Sequence, residues 1–110
     1  MERSTECRVR KVPADEFIPL MEKVESGECV LIDVRNPDEY RKERIEGSRN
    51  VPVDTIAAGL ADMDRHIPLL IYCKVGKRCI KAVEQLSEMG FVDVTVLDGG
   101  IDSWRVHCQR

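Results

Sequence analysis

Two short runs, Cys29 to Val34 (CVLIDV) and Leu69 to Tyr72 (LLIY), contain almost no polar residue, and they constrain this chain more than any other feature. A strand that is apolar in both side-chain directions has to be covered on both faces. That is the situation of a central strand in a parallel sheet with helices above and below. Between and around these runs the apolar period changes to a helical one. Phe17, Leu20, Met21 and Val24 fall at i, i+3, i+4 and i+7, predicting a first helix of about 12 residues that ends before Gly27. Cys79, Ala82, Val83 and Leu86 repeat that stripe with Gly90 as its stop, and Ile56, Leu60 and Met63 stripe a helix at i, i+4 and i+7. Asn36, Pro37 and Glu39 supply an N-cap, a proline at the first helical position and a capping-box acid, so another helix starts at Pro37.

Arg8 to Val12 reads as a first strand, and Ser48 to Val51 as a brief one stopped by Pro52. Val92, Val94 and Val96 alternate with Asp93 and Thr95, which predicts a strand with one face less buried. A last helix follows Gly99-Gly100 and carries Ile101, Trp104 and Cys108. Strands interleaved with helices and joined by right-handed crossovers give an α/β three-layer sandwich with a central five-stranded parallel sheet. With 110 residues the expectation is a single domain over 1–110.

Composition narrows the function classes. Apolar residues at 43% and charged residues at 34% are enough for a core and too apolar a mixture for a disordered chain. The formal net charge of -3 provides no general positive field, so neither nucleic acid nor an anionic membrane is an expected partner. No apolar run approaches the ~20 residues of a membrane span, and residues 1–12 lack the apolar region of a signal peptide, so a cytoplasmic protein is expected. The five cysteines, at 7, 29, 73, 79 and 108, form no C-x-x-C pair and read as free thiols. Neither His66 nor His107 has a cysteine at zinc-finger spacing, and no metal or other cofactor is expected.

In open α/β sheets ligands collect at the carboxyl ends of strands, where the next helix presents unpaired N–H groups. One such turn reads Cys73-Lys74-Val75-Gly76-Lys77-Arg78, leaving an apolar strand and entering a helix. A thiol of pKa about 8.5 is only a few per cent ionised at pH 7, whereas a drop of ~2 units makes it mostly thiolate. Loop N–H groups curling around the sulfur and the positive end of the helix favour that drop. Lys74, Lys77, Arg78 and Lys81 add four cations with no acid before Glu84, and cations at a helix start oppose its dipole unless an anion binds among them. Cys73 is therefore the candidate nucleophile, and Lys74, Val75, Gly76, Lys77 and Arg78 the candidate substrate-binding loop. Gly76 fits a turn that needs positive φ or close approach to an anion. The spacing is C-x4-R, one residue shorter than the C-x5-R loop of cysteine phosphatases, and a smaller ring of N–H donors suits a cysteine carrying one extra sulfur better than a phosphoryl group.

The residues then form an ordered set. Asp33-Val34-Arg35 with Glu39-Tyr40, Ile45-Glu46-Gly47-Ser48 with Asn50-Val51-Pro52, Cys73-x-x-Gly76-x-Arg78, and Gly99-Gly100 with Trp104 resemble the successive motifs of single-domain rhodanese sulfurtransferases over residues 33–104. The resemblance implies a five-stranded parallel sheet and a loop cysteine that takes a sulfane sulfur from a small anionic donor such as thiosulfate. The acceptor would be a thiophile, either a thiol or a sulfur-acceptor protein. Two positions depart from the pattern: Glu43-Arg44 stands where a glycine-histidine pair is common, and Cys79 where a serine or alanine usually follows the arginine.

Cys79 has two readings, a resolving thiol for an oxidised or sulfur-loaded Cys73 and a small residue packed under the loop. Asp33 interrupts an apolar strand and needs a partner, for which Arg35 or a loop N–H is the obvious candidate, and Arg35 with Glu39 is expected as a structural ion pair. Trp104 reads as a core anchor, and neither His66 nor His107 as a general base. A phosphatase or arsenate reductase on the same sheet, and a non-catalytic module whose loop binds an anionic group on a partner, are the alternative functions.

Overall fold

The computed structural model describes residues 7–108. Its five strands are β1 (Arg8–Val12), β2 (Val30–Asp33), β3 (Arg49–Asn50), β4 (Leu69–Tyr72) and β5 (Asp93–Leu97). They form one parallel sheet in the order β1-β5-β4-β2-β3. The two apolar runs thus pair with each other near the middle of the sheet, Leu31 opposite Leu70 and Ile32 opposite Ile71. Strand pleating sends alternate residues to opposite faces, and the core divides accordingly. Leu69, Ile71, Ile32, Val94 and Val96 pack with Ile56, Leu60, Cys79, Ala82 and Leu86. Leu70, Tyr72, Leu31 and Leu97 pack with Ala14, Phe17 and Ile101. Helices α4 (Ile56–Gly59) and α5 (Lys77–Glu88) therefore cover one face, while α1 (Ala14–Phe17) and α6 (Gly100–Cys108) cover the other. Among the described residues no helix is long and apolar enough to cross a membrane.

Three elements differ from expectation, each for a local reason. The first helix is broken into α1, a 3-10 turn (Ile18–Leu20) and α2 (Met21–Glu25), because Pro19 lacks the N–H that a continuous helix would use. Its stripe still works, since Phe17, Leu20, Met21 and Val24 all pack in the second core cluster. The Ile56 stripe is helical for four residues only, ending at the poor helix former Gly59, while Leu60 and Met63 reach the first cluster from turns. In β5 the alternation does not mark an open face: Thr95 is as buried as its valine neighbours, because β5 lies between β1 and β4 and is covered on both sides. The Thr95 hydroxyl is satisfied by Arg10, whose Nη2 donates to Oγ1 at 3.2 Å.

The capping box at α3 (Pro37–Lys42) forms as read, with Asn36 Oδ1 accepting from Glu39 N–H at 3.0 Å and Glu39 Oε1 from Asn36 N–H at 3.1 Å. Asp33 is fully buried and takes both proposed kinds of partner. The Arg35 backbone N–H donates to Oδ1 at 2.8 Å, and the Arg35 guanidinium donates to both oxygens, its closest contact being 2.7 Å. Asn50 Nδ2 ties the carbonyls of Asp33 and Arg35 to β3 at 3.1 and 2.9 Å. The expected pairing of Arg35 with Glu39 does not form, because Arg35 is spent on Asp33 and Glu39 on a residue 39 positions away. Trp104 is only half-buried and meets Phe17 edge-on, ring centroids 6.1 Å apart.

Candidate functional site

Strand β4 ends at Tyr72, and α5 begins at Lys77 with Gly76 as its N-cap residue. The connecting loop turns on Gly76, whose φ of 107° is a conformation that side-chain-bearing residues rarely adopt. Its N–H thereby points back at the start of the loop and donates to Cys73 Sγ at 2.9 Å. Helix α5 has no side-chain cap, so its first amides are also available to the sulfur.

Cys73 is almost wholly buried, which opposes ionisation, yet its pKa is lowered from 9.0 to about 6. The largest cause is the Cys79 thiol, which hydrogen-bonds to the Cys73 sulfur; the N–H groups of Cys79, Gly76 and Arg78 add to it. The same contact pushes the Cys79 thiol far up, so the pair holds one proton and that proton stays on Cys79. Cys79 belongs to the buried face of α5, as its stripe predicts. Below its pKa Cys73 is an inert thiol and above it a nucleophile, so the rate of reaction with iodoacetamide is expected to rise with pH through a midpoint near 6. A midpoint at the ordinary thiol value would remove the basis for an activated Cys73.

The cations are placed differently from what local sequence predicts. Arg78 forms a bidentate pair with Glu39, Nη1 to Oε1 at 2.7 Å and Nη2 to Oε2 at 2.9 Å, and this holds the Glu39 carboxyl down at about 2. Lys74 pairs with Asp102 at 2.9 Å. Two of the four cations thus have acids brought to them from α3 and α6, and the explanation that an anion must sit among all four does not hold. Lys77 and Lys81 are exposed and make no ion pair among the described residues. Val75 projects into solvent beside them, 48% exposed.

Glu39, Asp102 and Gly100 are site-shaping residues that local reading missed. Ile101 N–H donates to the Cys73 carbonyl at 2.8 Å and Asp102 N–H to the Lys74 carbonyl at 3.2 Å, so the start of α6 docks directly on the loop backbone. Gly100 sits under that docking with no room for a side chain. The available signal was the double glycine itself, which marks a close backbone approach as readily as a helix start. His66 is exposed beside Asp64 and takes no part in this region. All five cysteines are free, and among the described residues no group of His, Cys, Asp or Glu could hold a metal ion.

The arrangement supplies a desolvated thiolate, a ring of N–H donors and a rim carrying lysine. It can attack an electrophilic atom and hold a second, anionic atom bonded to Cys73.

The family model for the rhodanese-like domain matches residues 18–107. The thiosulfate sulfurtransferase GlpE of Shewanella oneidensis is 34% identical over 87 residues, spanning 77% of this chain and 84% of that protein. The protein of the same name from Coxiella burnetii is 30% identical over 86 residues, 78% of this chain and 80% of that protein. Among solved structures, a rhodanese-like domain protein from Staphylococcus aureus superposes with a TM-score of 0.74 at 28% identity, covering 86% of this chain and 90% of that one.

Proposed function

The chain belongs to the rhodanese-like domain family and is a sulfurtransferase, and on that premise we propose that Cys73 carries the transferred sulfur as a persulfide taken from an anionic sulfane donor such as thiosulfate. The observation that carries this reading is the placement of the Cys73 sulfur at the end of β4, where the Gly76 N–H donates to it at 2.9 Å and the N–H groups of Cys79 and Arg78 help to lower its pKa. In the first half-reaction the thiolate attacks the outer sulfur of thiosulfate, a new S–S bond forms and sulfite leaves with the electron pair of the broken bond. The extra sulfur is itself anionic, and the amides of Gly76, Arg78 and Cys79 that favour the thiolate favour it too. In the second half-reaction a thiophile, either a small thiol or an acceptor protein, removes the sulfur and restores the thiolate.

The candidate binding residues divide by task. Val75 and Gly76 contribute backbone and the exposed rim, and Lys77 offers an ammonium to the departing anion. Lys74 and Arg78, neutralised by Asp102 and Glu39, keep the loop in register with α6 and α3. The small loop disfavours a phosphatase, since a phosphoryl group needs donors around three oxygens while a sulfane sulfur is a single atom.

The test is to mix the protein with excess thiosulfate and no acceptor, and to follow sulfite. A rapid release of about one equivalent is expected, the burst of a covalent mechanism. No sulfite from thiosulfate or from any other sulfane donor would refute the persulfide.

A further inference from the structure

Gly76 has two neighbourhoods. Its N–H donates to the Cys73 sulfur at 2.9 Å, and the same residue forms one end of an open groove of about 260 Å³ between β1 and α5. Val9 and Val96 wall the groove from the sheet, and Ile80 and Val83 from the helix. Val96 lies beside Lys11 in the register of β1 and β5, and Lys11 shares a face of β1 with Val9. Glu84 lines the far end, and from Gly76 to Glu84 the helix rises ~12 Å. The walls are apolar almost throughout and partly bare to water, Val9 being 45% exposed and Ile80 66%. An apolar groove that leads to a reactive residue is the usual form of a small-molecule site, yet attack on thiosulfate makes no use of this one. Thiosulfate carries no apolar part to fill it.

Charge orients an occupant. Lys77 and Lys81 stand at the start of α5 and make no ion pair among the described residues, and Lys11 is one residue from the carboxyl end of β1, the end of the sheet from which the loop leaves. The cations therefore gather where Cys73 is, while Glu84 disfavours a second negative charge at the far end. The arrangement suits a molecule with an anionic head and an uncharged, apolar tail.

Resting on the persulfide reading, we propose that the donor this chain prefers is an organic sulfane anion with an apolar substituent, its terminal sulfur at Cys73 and its tail in the groove between β1 and α5. With an alkanethiosulfonate the Cys73 thiolate bonds to the terminal sulfur, the bond between the two donor sulfurs breaks, and its electron pair leaves with the alkanesulfinate. No proton moves. The sulfonyl sulfur is reduced as the Cys73 sulfur is oxidised, so no further reagent takes part. The tail stays in contact before and during the attack, so it acts on half-saturation and not on the rate at saturating donor.

Loading of Cys73 by a series of alkanethiosulfonates from methyl to pentyl tests the proposal, with persulfide followed by intact mass as a gain of about 32 Da. Reaction of each compound with free glutathione, measured alongside, corrects for intrinsic reactivity. The corrected second-order rate constant is expected to rise ~2- to 4-fold per added methylene through lower half-saturation. Val9→Thr and Ile80→Gln, combined in one protein, make the groove polar at two exposed positions. They should cut the advantage of pentyl over methyl by ~5-fold or more and leave loading by thiosulfate unchanged. A flat series in the unsubstituted protein, or a slope that survives both substitutions, would show that the groove holds no tail, while loading by thiosulfate would keep the persulfide in place. No mass gain with thiosulfate or with any thiosulfonate would remove both readings together.

Discussion

Replacing Cys73 with serine is expected to lower sulfite release from thiosulfate by ~10³-fold or more, about 4 kcal/mol of transition-state stabilisation. The loss is chemical rather than structural. A serine hydroxyl is un-ionised at any pH at which the protein is folded, and the loop's capacity to favour an anion by three pKa units, from 9.0 to about 6, is too small to change that. The fold should tolerate the substitution, because Oγ can accept the Gly76 N–H in place of sulfur and the net change in one such hydrogen bond is about 1 kcal/mol. Initial rates of sulfite formation give the first quantity, and urea unfolding gives the second. A variant that kept a tenth of the rate with its stability intact would show that another group performs the attack.

The loop was legible because its chemistry is local. A cysteine at the end of an apolar strand, a glycine three residues on and a helix start define the sulfur, the turn and the N–H donors within seven consecutive positions, Cys73 to Cys79. What was not legible is what the fold brings to the loop. Glu39 announces itself as a capping acid and does cap α3, but its second partner, Arg78, lies 39 residues on, at the start of the helix after the neighbouring strand β4, and no local rule pairs them. Asp102 and Lys74 are in the same position, 28 residues apart. The basic appearance of the loop is therefore a property of the sequence and only partly of the site. Of the four cations only Lys77 and Lys81 stay without an acid among the described residues, and the depressed pKa of Cys73 follows mainly from hydrogen bonds. The Cys79 stripe was likewise correct about burial and silent about what the thiol touches, since a face on a helix does not say which atom of the neighbouring strand it meets. The broken first helix and the shortened one after Ile56 show the same limit: the stripe records which residues are buried, while Pro19 and Gly59 decide whether the backbone between them stays helical.

The second large effect is expected at a residue that performs no chemistry. Gly100 has φ +63°, and a Cβ there would lie well inside contact distance of the carbonyl oxygens of both Cys73 and Lys74. Those two carbonyls accept the N–H groups of Ile101 and Asp102, so the glycine is the only spacing that lets α6 hydrogen-bond to the loop at all. Gly100→Ala should separate the two, breaking both hydrogen bonds and loosening the Lys74–Asp102 pair. Stability is expected to fall by ~3 kcal/mol or more, combining left-handed strain with a backbone clash that no side-chain rotation relieves. Activity should fall by ~10²-fold in protein that remains folded, because a shift of about 1 Å at the loop misplaces the sulfur and its donors together. Gly27→Ala is the matched comparison: φ there is +86°, but an added Cβ would meet nothing within 4 Å, so only the conformational cost of about 1 to 2 kcal/mol applies and the site is untouched. Urea unfolding of the two variants side by side therefore isolates the contact from the conformation. Equal losses at the two positions, with sulfite release preserved in both, would mean that α6 does not hold the loop in its reactive shape.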